Sequence, residues 1–110
     1  MTVSTHVLDT MAGRPAGGVA VSLSRLDPAR EEWVAVAAGE TDSDGRHRFG
    51  VAAGAGVYQL TFGTGEYFAA RGVSTFYPFV TVMFSVGDPD GHYHVPLLLS
   101  AFGYSTYRGS

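Results

Sequence analysis

HYHVPLLLSAFGYSTYRGS, residues 92–110, is the stretch on which the reading of the whole chain turns. It alternates like a strand, turns, and runs on as a second strand through its last residue. Successive side chains of a strand point to opposite faces. Tyr93, Val95, Leu97 and Leu99 therefore share one face, and His92, His94, Pro96 and Leu98 share the other. The first set suits a core. The second suits neither open solvent nor a core. Imidazoles beside Pro and Leu fit a surface that is covered yet keeps its polar groups usable, and that is the character of an active-site wall.

Working back from this hairpin, the same period recurs in short runs separated by Gly and Pro, the all-β pattern. Val3 to Asp9 reads as a first strand, with His6 and Leu8 on one face and Thr5, Val7 and Asp9 on the other. MAGRPAGG is a loop. Gly18 to Leu26 is the cleanest strand: Val19, Val21 and Leu23 point one way, Ser22 and Ser24 the other. Trp33 to Gly39 and Arg46 to Gly50 are strands on either side of the polar turn ETDSDGR. Val57 to Phe62 places Tyr58, Leu60 and Phe62 inward, and Phe76 to Val86 reads as one long apolar strand. TGEYFAARG is the one helical segment, with Thr64 as cap, Glu66 in the first turn, Arg71 in the last and Gly72 as terminator. At two turns it needs a sheet to dock on. The expectation is an all-β chain, a single domain over residues 1–110. Its two antiparallel sheets pack as a β-sandwich of about eight strands with one short helix. Apolar outward faces point to a homo-oligomer.

Composition narrows the function classes. Ten acidic residues stand against seven arginines, with no Lys and a net charge of -3, so there is no basic stripe for nucleic acid. Without Cys, neither a disulfide framework nor a thiolate metal site is available. No apolar run has membrane-spanning length, and the N-terminus lacks a secretory pattern. A cytoplasmic location is the expectation.

The candidate chemistry lies in few residues. His6 alone on a strand is as consistent with a structural or solvated histidine as with a functional one. His92 and His94, two apart on a strand, point the same way and can share a site, although an exposed pair has the same spacing. His6, His92 and His94 together can also be read as a zinc set if the first and last strands are neighbours, but no compact ligand motif supports it. Arg46, after Asp44-Gly45, is either a surface residue beside Asp42 and Asp44 or a clamp for a carbonyl oxygen. TDSDG resembles half a calcium loop, but Ala53 stands where the bidentate Glu belongs. GTGEYF lacks the context of a dinucleotide fingerprint. Ser105 and Ser110 have no nucleophile elbow.

STHVLDT with the following GRPA, the central DGR, HYHVPLLLS and the terminal YSTYRGS together resemble the 5-hydroxyisourate hydrolases, the transthyretin-like enzymes of purine catabolism. The likeness runs the length of the chain, and YRGS is its most specific part. Hormone-carrying transthyretin shares the fold but lacks that tail and this histidine pattern. Ala101 departs from the family's usual Pro, which bears on turn stiffness rather than on a reactive group. The resemblance implies a homotetramer, a dimer of dimers, with active sites in a channel between the dimers. It assigns catalytic roles to His6, Arg46 and His94, and substrate contacts to the tail residues Tyr107, Arg108, Gly109 and Ser110; the strand reading adds His92, on the same face as His94, as a substrate contact. It implies a small-molecule substrate, no cofactor and no metal. On this reading the histidine pair activates water, Arg46 holds the developing oxyanion, and the tail closes the site. A carrier that binds a ligand in the channel without chemistry is the alternative.

Overall fold

Period-two alternation is realised in strands wherever the sequence carries it, and the exceptions fall at prolines and at the chain's turns. The computed structural model describes residues 1–110. In chain order the elements are β1 (Thr2–Asp9), β2 (Arg14–Pro15), β3 (Ala20–Asp27), β4 (Glu32–Glu40), β5 (Arg46–Gly50), β6 (Gly56–Phe62), α1 (Thr64–Ala69), β7 (Val80–Val86), β8 (His92–Leu99) and β9 (Tyr104–Thr106). They form two sheets. One runs β2-β1-β8-β9, with β5 also paired to β1; the other runs β4-β3-β6-β7. Leaving aside the two-residue β2, eight strands make the sandwich.

β1 is the centre of the first sheet. It takes β5 and β2 antiparallel along one edge and β8 along the other. The β1–β8 pair is parallel, from Thr2↔His92 to Asp9↔Leu99, and is the exception in otherwise antiparallel sheets. The whole second sheet lies between these strands in sequence, so no hairpin dictates their relative direction. Val3 and Val7 of β1, Leu97 and Leu99 of β8, Val21 and Leu23 of β3, and Tyr58, Leu60 and Phe62 of β6 meet in one core cluster. Burying such side chains is the main favourable term in forming the sandwich. Asp9 is buried among them, and its carboxylate accepts hydrogen bonds from the Tyr67 hydroxyl at 2.8 Å and from the backbone N–H of Met11 and Ala12. Burial, followed by this contact with Asp9, pushes the Tyr67 phenol above its ordinary pKa.

Four local expectations change. Thr64 is the first residue of α1 rather than its cap; Gly63 holds the cap position, and the Thr64 hydroxyl donates instead to the Tyr77 carbonyl at 3.3 Å. Arg71 lies beyond the helix, its guanidinium 3.7 Å from the centre of the Tyr67 ring. The helix is held by burying Tyr67 and Phe68 against the sandwich. The long strand from Phe76 begins only at Val80. Pro78 cannot donate to a ladder, so Phe76–Phe79 forms an irregular arm tied to the β8–β9 turn through the Phe76 N–H to Ala101 carbonyl bond at 3.0 Å. The terminal hairpin is also interrupted. β9 ends at Thr106, and its register resumes only at the Gly109–His94 bridge. The intervening Tyr107 falls opposite Pro96, which has no N–H to return the bond. Phe76, Phe79, Met83, Phe102 and Tyr104 leave large apolar surface exposed.

Candidate active site

The site is a grid on the outward face of β5, β1 and β8. Residues paired across neighbouring strands project from the same face. One row reads Arg46, His6, Pro96; the next Arg48, Ser4, His94; the last Gly50, Thr2, His92. Strands remote in sequence thus bring His6, Arg46, His92 and His94 onto one surface. His6 and Arg46, directly opposed in an antiparallel pair, have Cβ atoms about 5 Å apart.

Arg46 is placed by the turn before it. The Asp42 carboxylate accepts the backbone N–H of Asp44 at 2.9 Å and of Arg46 at 3.0 Å. The Arg46 N–H is the largest of the influences that hold Asp42 below the usual carboxylate pKa. Gly45 has φ of 76°, and a Cβ there would lie 2.4 Å from the Val7 carbonyl oxygen. Its own carbonyl accepts the Val7 N–H at 2.7 Å. Only glycine lets this turn lie so close to β1, and that contact sets Arg46 beside His6.

His94 is half-buried and enclosed on two sides. Its Nδ1 lies 2.8 Å from the Ser4 hydroxyl. On the other side the Gly109 N–H donates to the His94 carbonyl at 2.8 Å, and a Cβ on Gly109 would lie 2.4 Å from the ring's Cδ2. The tail can cross the imidazole only because residue 109 has no side chain. Burial lowers the His94 pKa below its ordinary 6.5, and the positive fields of Arg46, His92 and His6 lower it further. His94 is accordingly neutral at pH 7, with a lone pair available to accept a proton. His92, more exposed, has its Nδ1 hydrogen-bonded to the Thr2 hydroxyl.

A cavity of about 450 Å³ opens over this grid, lined by Arg46, Arg48, His92, His94 and Ser110, with Ser4, Thr5, Glu40, Asp42 and His47 completing the wall. No lining residue is hydrophobic. His6 stands on the same face but beside this lining rather than in it. Within the single chain the tail divides. Ser110 reaches the polar cavity, whereas Tyr107 and Arg108 line a second cavity of about 320 Å³ against Val82, Met83 and Phe84 of β7, with His94 common to both. The Arg108 guanidinium lies 5.1 Å from the Tyr93 ring centre. No group of three or more His, Asp or Glu side chains is arranged to hold a metal ion, so the zinc reading of His6, His92 and His94 finds no geometric support.

Ser4, Thr2, Arg48 and His47 were not singled out from sequence. Period-two counting back from His6 gives Ser4 and Thr2, and counting on from Arg46 gives Arg48. The signal was present, but only the pairing of β1 with β8 shows what the hydroxyls touch. His47 had no such signal: its ring packs edge-on to Phe49 at 4.4 Å, and its Nδ1 meets the Glu40 carbonyl at 3.1 Å.

Comparison with known proteins places this geometry. A sequence profile of the HIUase/transthyretin family matches residues 3–109. The 5-hydroxyisourate hydrolase of Caulobacter vibrioides is 44% identical, over 98% of this chain and 97% of its own. The solved 5-hydroxyisourate hydrolase of Klebsiella pneumoniae is 42% identical and superposes with a TM-score of 0.84, covering 100% of both chains. Sea bream transthyretin, solved with thyroxine, is 34% identical with a TM-score of 0.88, covering 97% of this chain and 93% of its own. Backbone shape is thus shared with both an enzyme and a hormone binder, and identity is higher to the enzyme. The chain belongs to the HIUase/transthyretin family.

Proposed function

We propose that this chain is a 5-hydroxyisourate hydrolase acting in urate degradation, opening the substrate's six-membered ring to 2-oxo-4-hydroxy-4-carboxy-5-ureidoimidazoline. The observation that carries the reading is the polar grid: a neutral His94, His6, and Arg46 on one face, in a chain 44% identical to a 5-hydroxyisourate hydrolase over nearly its full length. Water adds to the cyclic amide carbonyl as a histidine takes its proton. The C–N bond then breaks, and the departing nitrogen receives a proton from the imidazolium. Arg46 stabilises the charge that develops on the carbonyl oxygen. Ser110 and His92 contact the substrate in the polar cavity. Gly109 keeps the tail against His94, and Tyr107 and Arg108 fix the tail. The activated carbonyl and these side chains suffice without a cofactor.

The active assembly is a homotetramer, a dimer of dimers, that covers the grid and the exposed aromatics of the Phe76–Phe79 arm and the β8–β9 turn. No helix is long and apolar enough to cross a membrane, and we place the protein in the cytoplasm with the small-molecule substrate as its partner. The carrier reading suits this cavity poorly, because an aromatic hormone wants an apolar wall and none of the lining residues is hydrophobic.

The test follows the absorbance decay of freshly generated 5-hydroxyisourate in buffer, with the protein, and with His6→Ala. Strong acceleration that the variant loses is expected. Decay no faster than buffer, together with stoichiometric binding of an aromatic ligand, would reject the hydrolase in favour of the carrier.

A further inference from the structure

We infer that Ser4 is a positioning residue for His94: its hydroxyl accepts the Nδ1–H, fixing the tautomer that leaves Nε2 unprotonated and facing the cavity as the base. This rests on the hydrolase reading above and assigns the base within it. Ser4 pairs directly with His94 across the parallel β1–β8 ladder, and its hydroxyl is 2.8 Å from Nδ1. The opposite side of the ring is occupied by the Gly109 backbone against Cδ2. With Nδ1 engaged and Cδ2 covered, the imidazole cannot swing, and Nε2 is the nitrogen left without a protein partner, on a side chain that lines the polar cavity.

The inferred direction, with the imidazole donating and the hydroxyl accepting, is the one that leaves the Nε2 lone pair toward the cavity. A neutral imidazole has one N–H and one lone pair, and the partner of one nitrogen sets the state of the other. The Ser4 hydroxyl makes no hydrogen bond other than the one to His94, so its oxygen lone pairs are free to accept. Of the influences on His94, a hydrogen bond with the Ser4 backbone is the one that favours the protonated ring, so the imidazole meets Ser4 on its N–H side. The ladder repeats the arrangement one row away, where the Thr2 hydroxyl meets Nδ1 of His92. A threonine hydroxyl therefore fits the same cross-strand geometry, and Ser4→Thr is a conservative replacement for the test.

The experiment uses protein labelled with ¹⁵N in the histidine rings, comparing wild type, Ser4→Ala and Ser4→Thr, with His94→Gln to assign the His94 signals. In the wild type at neutral pH, Nδ1 is expected to carry the proton and Nε2 to be bare. In Ser4→Ala the two tautomers mix, kcat falls about tenfold with KM little changed, and the acid limb of the pH–rate profile shifts. Ser4→Thr restores both ring signals and rate. Melting temperatures check that the variants stay folded. A wild-type His94 protonated on Nε2, or a Ser4→Ala protein with unaltered ring signals and kcat, would overturn the inference, as would Ser4→Thr behaving like Ser4→Ala. The ring-nitrogen measurement needs no substrate. If the positioning holds but no variant, nor the wild type, hydrolyses 5-hydroxyisourate, the hydrolase reading fails separately.

Discussion

The two sheets of this sandwich have equivalent inner faces and unlike outer ones. Inside, Val7, Leu97 and Leu99 of the first sheet meet Leu23, Leu60 and Phe62 of the second, all essentially without solvent exposure. Outside, the second sheet presents Ser22, Ser24, Gln59, Thr61, Thr81 and Ser85, with Met83 among them, and no titratable side chain in that set. The first presents His6, Arg46, Arg48, His92, His94 and two hydroxyls aimed at imidazoles. Architecture is carried by the shared inner pattern. Chemistry is carried by what one outer face displays, which is why an enzyme and a hormone binder superpose on the chain almost equally well.

The sharpest way to test that contrast is to remove the tail that only the first sheet carries. Deleting Tyr107 to Ser110 takes away the Gly109–His94 bridge and the Ser110 wall of the cavity. It is expected to abolish turnover while sizing and scattering show the assembly unchanged; a truncated protein that keeps its activity would remove the tail from the site. Next, Arg46→Ala should lower turnover by about 10² to 10³ if its guanidinium faces the developing oxyanion. Near-normal steady-state kinetics in that variant would return Arg46 to the role of a surface residue.

The inner faces should respond alike. Leu97→Ala in the first sheet and Leu60→Ala in the second each empty a fully buried site, and each should cost about 2 to 5 kcal/mol in denaturant unfolding. A large difference between them would show that the sheets do not share one core. A smaller effect concerns pH. Because the folded-state pKa of His94 lies below 6.5, its neutral form is kept as pH falls past the ordinary histidine range, and activity declines only as pH drops through that lowered value. The same sign applies to stability: the His94 contribution is present above the unfolded pKa and is lost as pH falls through the folded one. Replacing Arg46 with Gln removes a positive field, so the acid limb of kcat/KM should move to higher pH; a limb that stays or moves lower contradicts the assignment of His94 as base. The smallest effect is expected on the plain outer face, where Gln59→Ala should change stability by no more than about 0.5 kcal/mol and leave turnover intact.

How far the site was legible depended on distance along the chain. Both faces of β8, and the inward set of β6, could be read from alternation. The Phe76 strand was overextended because its apolar run continues through Pro78, where hydrogen bonding cannot. Thr64 has the chemistry of a cap, but the Tyr77 carbonyl claims its hydroxyl, a partner no local window contains. Ser4 went unmarked because serine two residues before a histidine means nothing until β8 lies alongside.

The order of residues alone carried which side chains face in and which face out, because a strand's period of two is a local property of the backbone. It also carried the DGR turn and the tail motif. It took the assembled fold to establish that β1 lies between β5 and β8, that its pairing with β8 is parallel, and that Ser4 meets an imidazole 90 residues away. Those outcomes depend on ladders closed between remote segments, whose register is set by the packing of the whole sandwich rather than by any window of the chain.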